Sequence, residues 1–400
     1  MTSRTDDVVI AGGGLVGKAV ALALAQAGLR VLLCGARPAA AAPAEGYGQR
    51  VYAINAASRR FLEGLRVWPQ LPSERIQAVE RMRIAADGAK LEFSAYVQGV
   101  EALAWIAESD AIERALDLAL QFERGASIAT ASVEQAQQEG GQWDVRLADG
   151  AQARAGLLLG ADGRNSRVRA WAGIGVRSKP YGQTGMVCNL RCAQGHGGVA
   201  FQAFTAEGVI ALLPLPAWNG EHQVSLVWSA PADLAAQLQA AGADALAQRL
   251  HTHLDALGAG HLAPISAAGG IGAWPLVLQR ADSLVADGVA LLGDAGHVIH
   301  PLAGHGLNLG LQDVQALAAV LAGRGAAQAV GDARVLRRYA RARAEQVLAL
   351  EWVTDGLQRL YAPGMAWLAP LRALGLAGTN HLTPVKRWLA GYASGLAVAP

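Results

Sequence analysis

Cysteine is scarce: Cys34, Cys188 and Cys192 are the three in 400 residues. An odd count with one close pair excludes the disulfide framework of a small secreted domain and suits free, packed thiols in a reducing compartment. The Cys-x-x-x-Cys pair has no second pair and no histidine at a zinc spacing, so no metal site is expected. Charge is sparse as well. Acidic and basic residues make up 16% of the chain, interspersed and summing to +2, which leaves no basic field for nucleic acid. Long apolar runs are missing too. The longest stretch free of Asp, Glu, Lys and Arg, residues 256–279, is broken by Pro264, Pro275 and several glycines, and it lacks the ~20 continuous apolar residues of a membrane span. No basic, apolar leader precedes the first strand-like run, Val8-Val9-Ile10, so the expected location is the cytoplasm. No repeat of solenoid or propeller period occurs.

Hydrophobic residues, by contrast, make up 52% of the chain, material for a sizeable core and two or three structural units. Strand-like runs fall at 8–11, 30–34, 144–147, 156–159, 209–213, 224–228 and 289–292, and helical periodicity at 17–27, 56–64, 111–122, 235–250 and 307–321, the pattern of a mixed α/β chain. Nucleotide-type signals sit at the N-terminus, near 160 and near 294, with a strand-rich, antiparallel stretch between about 180 and 272. The simplest assembly is a discontinuous nucleotide domain with a second domain inserted.

Val8-Val9-Ile10-Ala11 runs into Gly12-Gly13-Gly14-Leu15-Val16-Gly17 and an Ala/Leu-rich helix. At such a strand-to-helix turn Gly12 permits the tight turn, Gly14 lets backbone approach a pyrophosphate, and Gly17 allows close packing. A doubly wound domain that binds nothing can keep these glycines for packing alone, and that reading stays open here. One feature departs from the fingerprint. The second strand should end in the Asp or Glu that holds the adenosine ribose, but the position is Gly35, and the next acid is Glu45. Its loss predicts adenosine-end binding weaker by about 1–3 kcal/mol unless another group serves. Restoring an acid at position 35 is then expected to tighten it.

Two further stretches end strands on acids. Asp162 lies in Gly160-Ala161-Asp162-Gly163-Arg164-Asn165-Ser166-Arg167-Val168-Arg169, and Asp294 in ALLGDAGHVIHPLAGHGLNLGLQD, where Gly304-His305-Gly306 open an amphipathic segment. A fixed acceptor beside bare backbone N–H groups is what polyhydroxylated and anionic ligands need. His297, His300 and His305 match no zinc spacing. Arg337, Arg338, Arg341 and Arg343 read as a solvated helix face, with attraction to an anionic membrane as the minority reading.

In this order, GGGLVG, GADGRNSRVR and LLGDAGHVIHPLAGHGLNLG resemble the para-hydroxybenzoate-hydroxylase-like flavoprotein monooxygenases, and within them the ubiquinone-biosynthesis hydroxylases. The likeness extends through RVYAINAAS from Arg50, Trp105-Ile-Ala-Glu108, Tyr181-Gly-Gln183, Leu212-Leu-Pro-Leu215 and Thr354-Asp-Gly-Leu357, nearly the whole chain. It implies an α/β fold: a Rossmann-like FAD-binding domain (1–75, 100–180 and 273–335), an inserted antiparallel β-sheet substrate domain (76–99 and 181–272) and a helical C-terminus (336–400). It places Gly12, Gly14 and Gly17 at the pyrophosphate, Arg50 and Glu108 near the ribityl–phosphate region, and Asp162 at both FAD and NAD(P)H. Asp294 would accept from the ribityl hydroxyls. Gly304, His305 and Gly306, with Leu307 and Asn308 at the helix start, would meet the pyrimidine edge, and His300 and Pro301 would flank the isoalloxazine. The family usually has Gln at 305, Ala at 296 and Asn at 109, where this chain has His, Gly and Ser.

The implied reaction uses NAD(P)H as a transient reductant, in keeping with a single dinucleotide fingerprint. Reduced FAD takes up O2 as a C4a-hydroperoxide that hydroxylates an electron-rich phenol; no acid–base dyad is evident and no catalytic base is assigned. The implied substrate is a polyprenylated phenol, reached by peripheral contact with the inner face of the membrane or with a ubiquinone-biosynthesis complex. Trp352, Tyr361, Trp367 and Trp388 would support such docking, core packing being their other role. Two readings stand beside this one: a hydroxylase of the same fold acting on a soluble phenol, and a non-catalytic scaffold without productive flavin.

Overall fold

In the computed structural model, which describes residues 4–43, 45–300 and 305–360, the apolar run Val8-Val9-Ile10 has no exposed surface. The cause is its position. Strand Arg4–Ala11 lies between Val31–Cys34 and Gln152–Gly160, parallel to both, and Ala126–Ala129 and Val289–Leu291 continue the parallel order on either side. Such a strand is covered on both faces and reads as continuous apolar sequence. Alternate side chains point to opposite faces. Val8 and Ile10 enter a core shared with helices Leu15–Gln26, Ser109–Gln121 and His305–Ala322, while Val9 and Ala11 pack against the antiparallel pair Val133–Glu139 and Gln142–Leu147. Helix Ala333–Leu360 packs on His305–Ala322.

A second, nine-stranded sheet is built around the 17-residue strand Val176–Cys192. One face carries Met186, Cys188, Leu190, Phe201, Leu212, Leu226 and Trp228 into a core with helices Ala232–Ala241, Ala243–His251 and Leu254–Leu257. The opposite face contributes Ala200 and Leu215 to a smaller cluster with Tyr47, Val79 and Ile106, which joins it to a three-stranded sheet of Val51–Ile54, Ala104–Glu108 and Gln77–Val79.

Two sequence expectations need correction. Strand Gly272–Ala281, assigned to the nucleotide unit, pairs with Val176–Cys192 in the second sheet, as does His297–Val298 through it. Its half-exposed, irregular burial gives no strong periodicity to place it. The single helix expected over 235–250 is two, because Gly242 between them adopts φ 92° and ψ 173°, a left-handed conformation that glycine alone tolerates easily. Burial pushes the thiols of Cys34, Cys188 and Cys192 up to about 12, 11 and 12, which keeps them protonated and unreactive at neutral pH. Among the described residues no helix is long and apolar enough to cross a membrane, and none group as three or more potential metal ligands.

Candidate cofactor site

The parallel strands deliver all three motifs to one edge. Gly12 N–H donates to Cys34 O at 3.0 Å, Ala161 N–H to Ala11 O at 2.9 Å and Leu292 N–H to Gly160 O at 2.9 Å. The carboxyl ends of four strands therefore lie side by side, where open α/β sheets bind ligands. Arg169, itself buried, bolts two motifs together by donating from Nη1 to Ala295 O at 2.9 Å and from Nη2 to Arg164 O at 3.0 Å.

The glycines divide into packing and open positions. A Cβ on Gly12, whose φ is 111°, would lie 2.2 Å from Ala161 O, and one on Gly17 would lie 1.8 Å from Gly12 O. A Cβ on Gly14 would meet nothing within 4 Å. Gly14 thus faces open space at the start of helix Leu15–Gln26, whose N-terminus has no side-chain cap and no acid in its first turn. An uncapped helix N-terminus with its dipole suits that space to an anion. Beside it, Asp162 Oδ2 accepts from Arg167 N–H at 2.7 Å and Val168 N–H at 3.2 Å, whereas Oδ1 is buried without a hydrogen-bonding partner among the described residues. An orphaned buried acceptor calls for a donor from outside the chain. These residues fit the pyrophosphate and hydroxyl groups of an FAD.

Asp294 is open to solvent, yet it is crowded enough by protein that desolvation raises its pKa, against the pull of His297, Arg50 and Arg164. Arg50 is exposed, with its guanidinium 5.6 Å from the Tyr52 ring centre and 5.4 Å from that of Trp274. Glu108 engages both oxygens within the protein, with Arg75 at 2.6 and 2.9 Å and Gly48 N–H at 2.5 Å. It holds the loop that leads to Arg50. Asn308 is likewise engaged: its amide accepts from Asn55 N–H at 3.0 Å and donates to Ala53 O at 2.7 Å. Leu307 is buried and Gly306 exposed in the first turn of His305–Ala322. Pro301 and Gly304 lie outside the described residues, as do Tyr361, Trp367 and Trp388.

His300 has no exposed surface. It shares a hydrogen bond with Gln183 at 3.0 Å and stacks edge-on against Tyr181 with ring centres 4.9 Å apart. Gln183 and Tyr181 belong to the second sheet, as does Trp274, so the second sheet is met at one place by His300 and at another by Arg50.

Sequence reasoning missed the centre beneath Asp294. Asp313 is wholly buried and accepts from Gly293 N–H at 2.9 Å, His297 Nε2 at 2.7 Å and Arg343 Nε at 2.6 Å. Burial works against its ionised form, but His297, Arg343 and the Gly293 amide overcome this and hold its pKa below the usual carboxylate range. Arg343, read from sequence as part of a solvated face, is 2% exposed. Nearby, Tyr339 OH donates to Leu291 O at 2.8 Å. His297 is thereby a structural partner of Asp313.

The chain is similar to known proteins over nearly its whole length. The family model described as FAD binding domain matches residues 5–351. The chain is 34% identical to 3-demethoxyubiquinol 3-hydroxylase of Escherichia coli, covering 99% of this chain and 100% of that protein. It is 33% identical to ubiquinone hydroxylase UbiL of Rhodospirillum rubrum, over 98% and 90%. The fold matches that of p-nitrophenol 4-monooxygenase PnpA from Pseudomonas putida with a TM-score of 0.76 at 18% identity, over 99% of this chain and 100% of that one.

Proposed function

Because the chain belongs to the ubiquinone-biosynthesis hydroxylases within the FAD-dependent flavoprotein monooxygenases, we propose that it hydroxylates the ring of a polyprenylated phenol while resting against a membrane surface. Bound FAD, reduced by NAD(P)H and reoxidised by O2, supplies the redox chemistry. The protein's part is to hold and shield. Gly12, Gly14 and Gly17 would shape the pyrophosphate cradle, Asp162 and Asp294 would offer acceptors to hydroxyl groups, and the N-terminal dipole of His305–Ala322 would favour negative charge on a flavin held near it. His300, held by Gln183 and Tyr181, closes one side against water.

The observation that carries this reading is the meeting of the cofactor edge and the second sheet, through His300 with Gln183 and Arg50 with Trp274. A ring seated between them would lie at the cofactor edge, and burial of its prenyl tail would add to the binding. Each buried CH2 of that tail adds about 0.8 kcal/mol of transfer free energy, so the purified yellow protein should oxidise NAD(P)H faster with a prenylated phenol than with the bare ring. A deletion strain should accumulate a quinone precursor lacking one hydroxyl. Equal efficiency on both phenols with unchanged quinone would support a soluble substrate instead, and a colourless protein that takes up no FAD would support a scaffold.

A further inference from the structure

Where a dinucleotide fold carries its ribose-binding acid, this chain has Gly35 at φ 76°. The loop that follows is packed directly on the cradle, since a Cβ on Gly13 would lie 2.1 Å from Ala36 Cα. Side chains from two helices grip that loop by its backbone. Lys18, in the first turn of Leu15–Gln26 and without exposed surface, donates from Nζ to Arg37 O at 3.1 Å and pairs with Asp117 at 2.8 Å. Asp117 also accepts from Ala39 N–H at 2.8 Å, and Arg114 donates to Ala40 O at 2.8 Å. Glu113 stands 3.6 Å from the same ammonium. A lysine is seldom fully buried unless paired, and here its partners fix the backbone at 37, 39 and 40.

We propose that Lys18, Asp117 and Arg114 form a clamp that positions the adenosine half of FAD. They hold the 36–40 backbone rigid against the cradle, so that adenosine meets preformed peptide groups in place of a strand-end carboxylate. A loop already ordered before binding lowers the entropic cost of binding. The proposal rests on FAD occupying the glycine cradle. The clamp residues are positioning residues and touch no reacting atom.

The test compares FAD with FMN, which lacks the adenosine half, by titrating flavin-stripped full-length protein and following fluorescence quenching. The parent is measured first; failure to bind either flavin would overturn the cofactor reading itself. Lys18→Met should weaken FAD by about ten-fold, the effect of one or two lost hydrogen bonds, and leave FMN affinity unchanged. If Lys18→Met does not fold, the double variant Lys18→Met with Asp117→Leu removes the buried pair without stranding a charge, and Arg114→Ala removes the outer contact alone. Each should lower the ratio of FAD to FMN affinity. A ratio that stays at the parent value, whether both affinities fall together or neither moves, would overturn the proposal.

Discussion

Replacing Asp313 with asparagine tests whether the buried centre under Asp294 organises the site. The carboxylate meets Arg343 at 2.6 Å, His297 at 2.7 Å and the Gly293 amide at 2.9 Å, with no exposed surface. Asparagine keeps the size and one acceptor oxygen but leaves Arg343 buried without its counter-charge. Removing one partner of a buried pair costs about 3–5 kcal/mol. With unfolding entropy of roughly 2.1 cal/mol/K per residue over the 400 residues, the melting temperature should fall by about 4–6 °C. Acid should erase the difference. The pKa of Asp313 is depressed in the folded protein, so its contribution is complete above the unfolded value near 3.9 and is lost as pH falls through the lower folded value. Parent and variant should therefore differ fully at pH 7, begin to converge as pH falls below about 4 and meet only below the depressed folded value. Because Gly293 precedes Asp294, the variant should also release FAD more readily on gel filtration. Calorimetry across pH, with the flavin-to-protein absorbance ratio, reads both effects. A variant that melts with the parent at pH 7 and retains its flavin would refute the reasoning.

Other substitutions separate cofactor binding from folding. Asp294→Asn should lose flavin while its apoprotein melts no lower than the parent's: a carboxyl with a raised folded pKa is penalised when ionised, so removing its charge relieves the fold at neutral pH. Gly17→Ala forces a Cβ to within 1.8 Å of Gly12 O and should yield little folded protein, whereas Gly14→Ala, with open space around it, should fold normally and bind FAD weakly; circular dichroism and flavin content distinguish the two. Gly35→Glu, which the fingerprint alone recommends for tighter binding, must place a side chain at φ 76°. It should cost about 1–2 kcal/mol of stability without tightening FAD, and a tighter, equally stable variant would show that the strand end tolerates an acid after all.

The parts of the site legible in sequence are those where one residue type is demanded by local geometry. The tight turn at Gly12 and the close packing at Gly17 are legible because nothing larger fits against Ala161 and Gly12, and the central strand is read correctly because burial on both faces leaves an unbroken apolar run. What escapes is pairing between distant charges. Lys18 finds Asp117 across 99 positions, Arg75 finds Glu108 across 33 and Arg343 finds Asp313 across 30, and a charged residue taken alone reads as solvated. A signal was present nonetheless. Leu336, Tyr339, Arg343, Val347 and Leu350 are all buried at three- and four-residue spacing, so Arg343 stands on the apolar stripe of its helix. Asp313 stands likewise between Leu309 and Leu317, and Lys18 between Leu15 and Leu22. A charge on an apolar stripe implies a buried partner.

These pairs share one arrangement. Asp313 joins Arg343 to Gly293 N–H, Glu108 joins Arg75 to Gly48 N–H, and Asp117 joins Lys18 to Ala39 N–H. In each, a carboxylate takes a cation held by the core and one backbone amide of a loop at the cofactor edge. Ion pairs as such add little net stability once desolvation is counted, but a carboxylate that also fixes an amide keeps its loop in one geometry before any ligand arrives. The three clamps grip different loops and have no residue in common, so their effects on flavin affinity should add. Asp313→Asn combined with Lys18→Met should weaken FAD by the product of the two single effects, within the few tenths of a kcal/mol usual for independent sites. Within one clamp, Lys18→Met and Asp117→Leu together should cost less than the sum of the separate changes, because either alone strands a charge. Strong coupling between Asp313 and Lys18 would mean instead that the cofactor edge yields as one unit, and that the loops are not held separately.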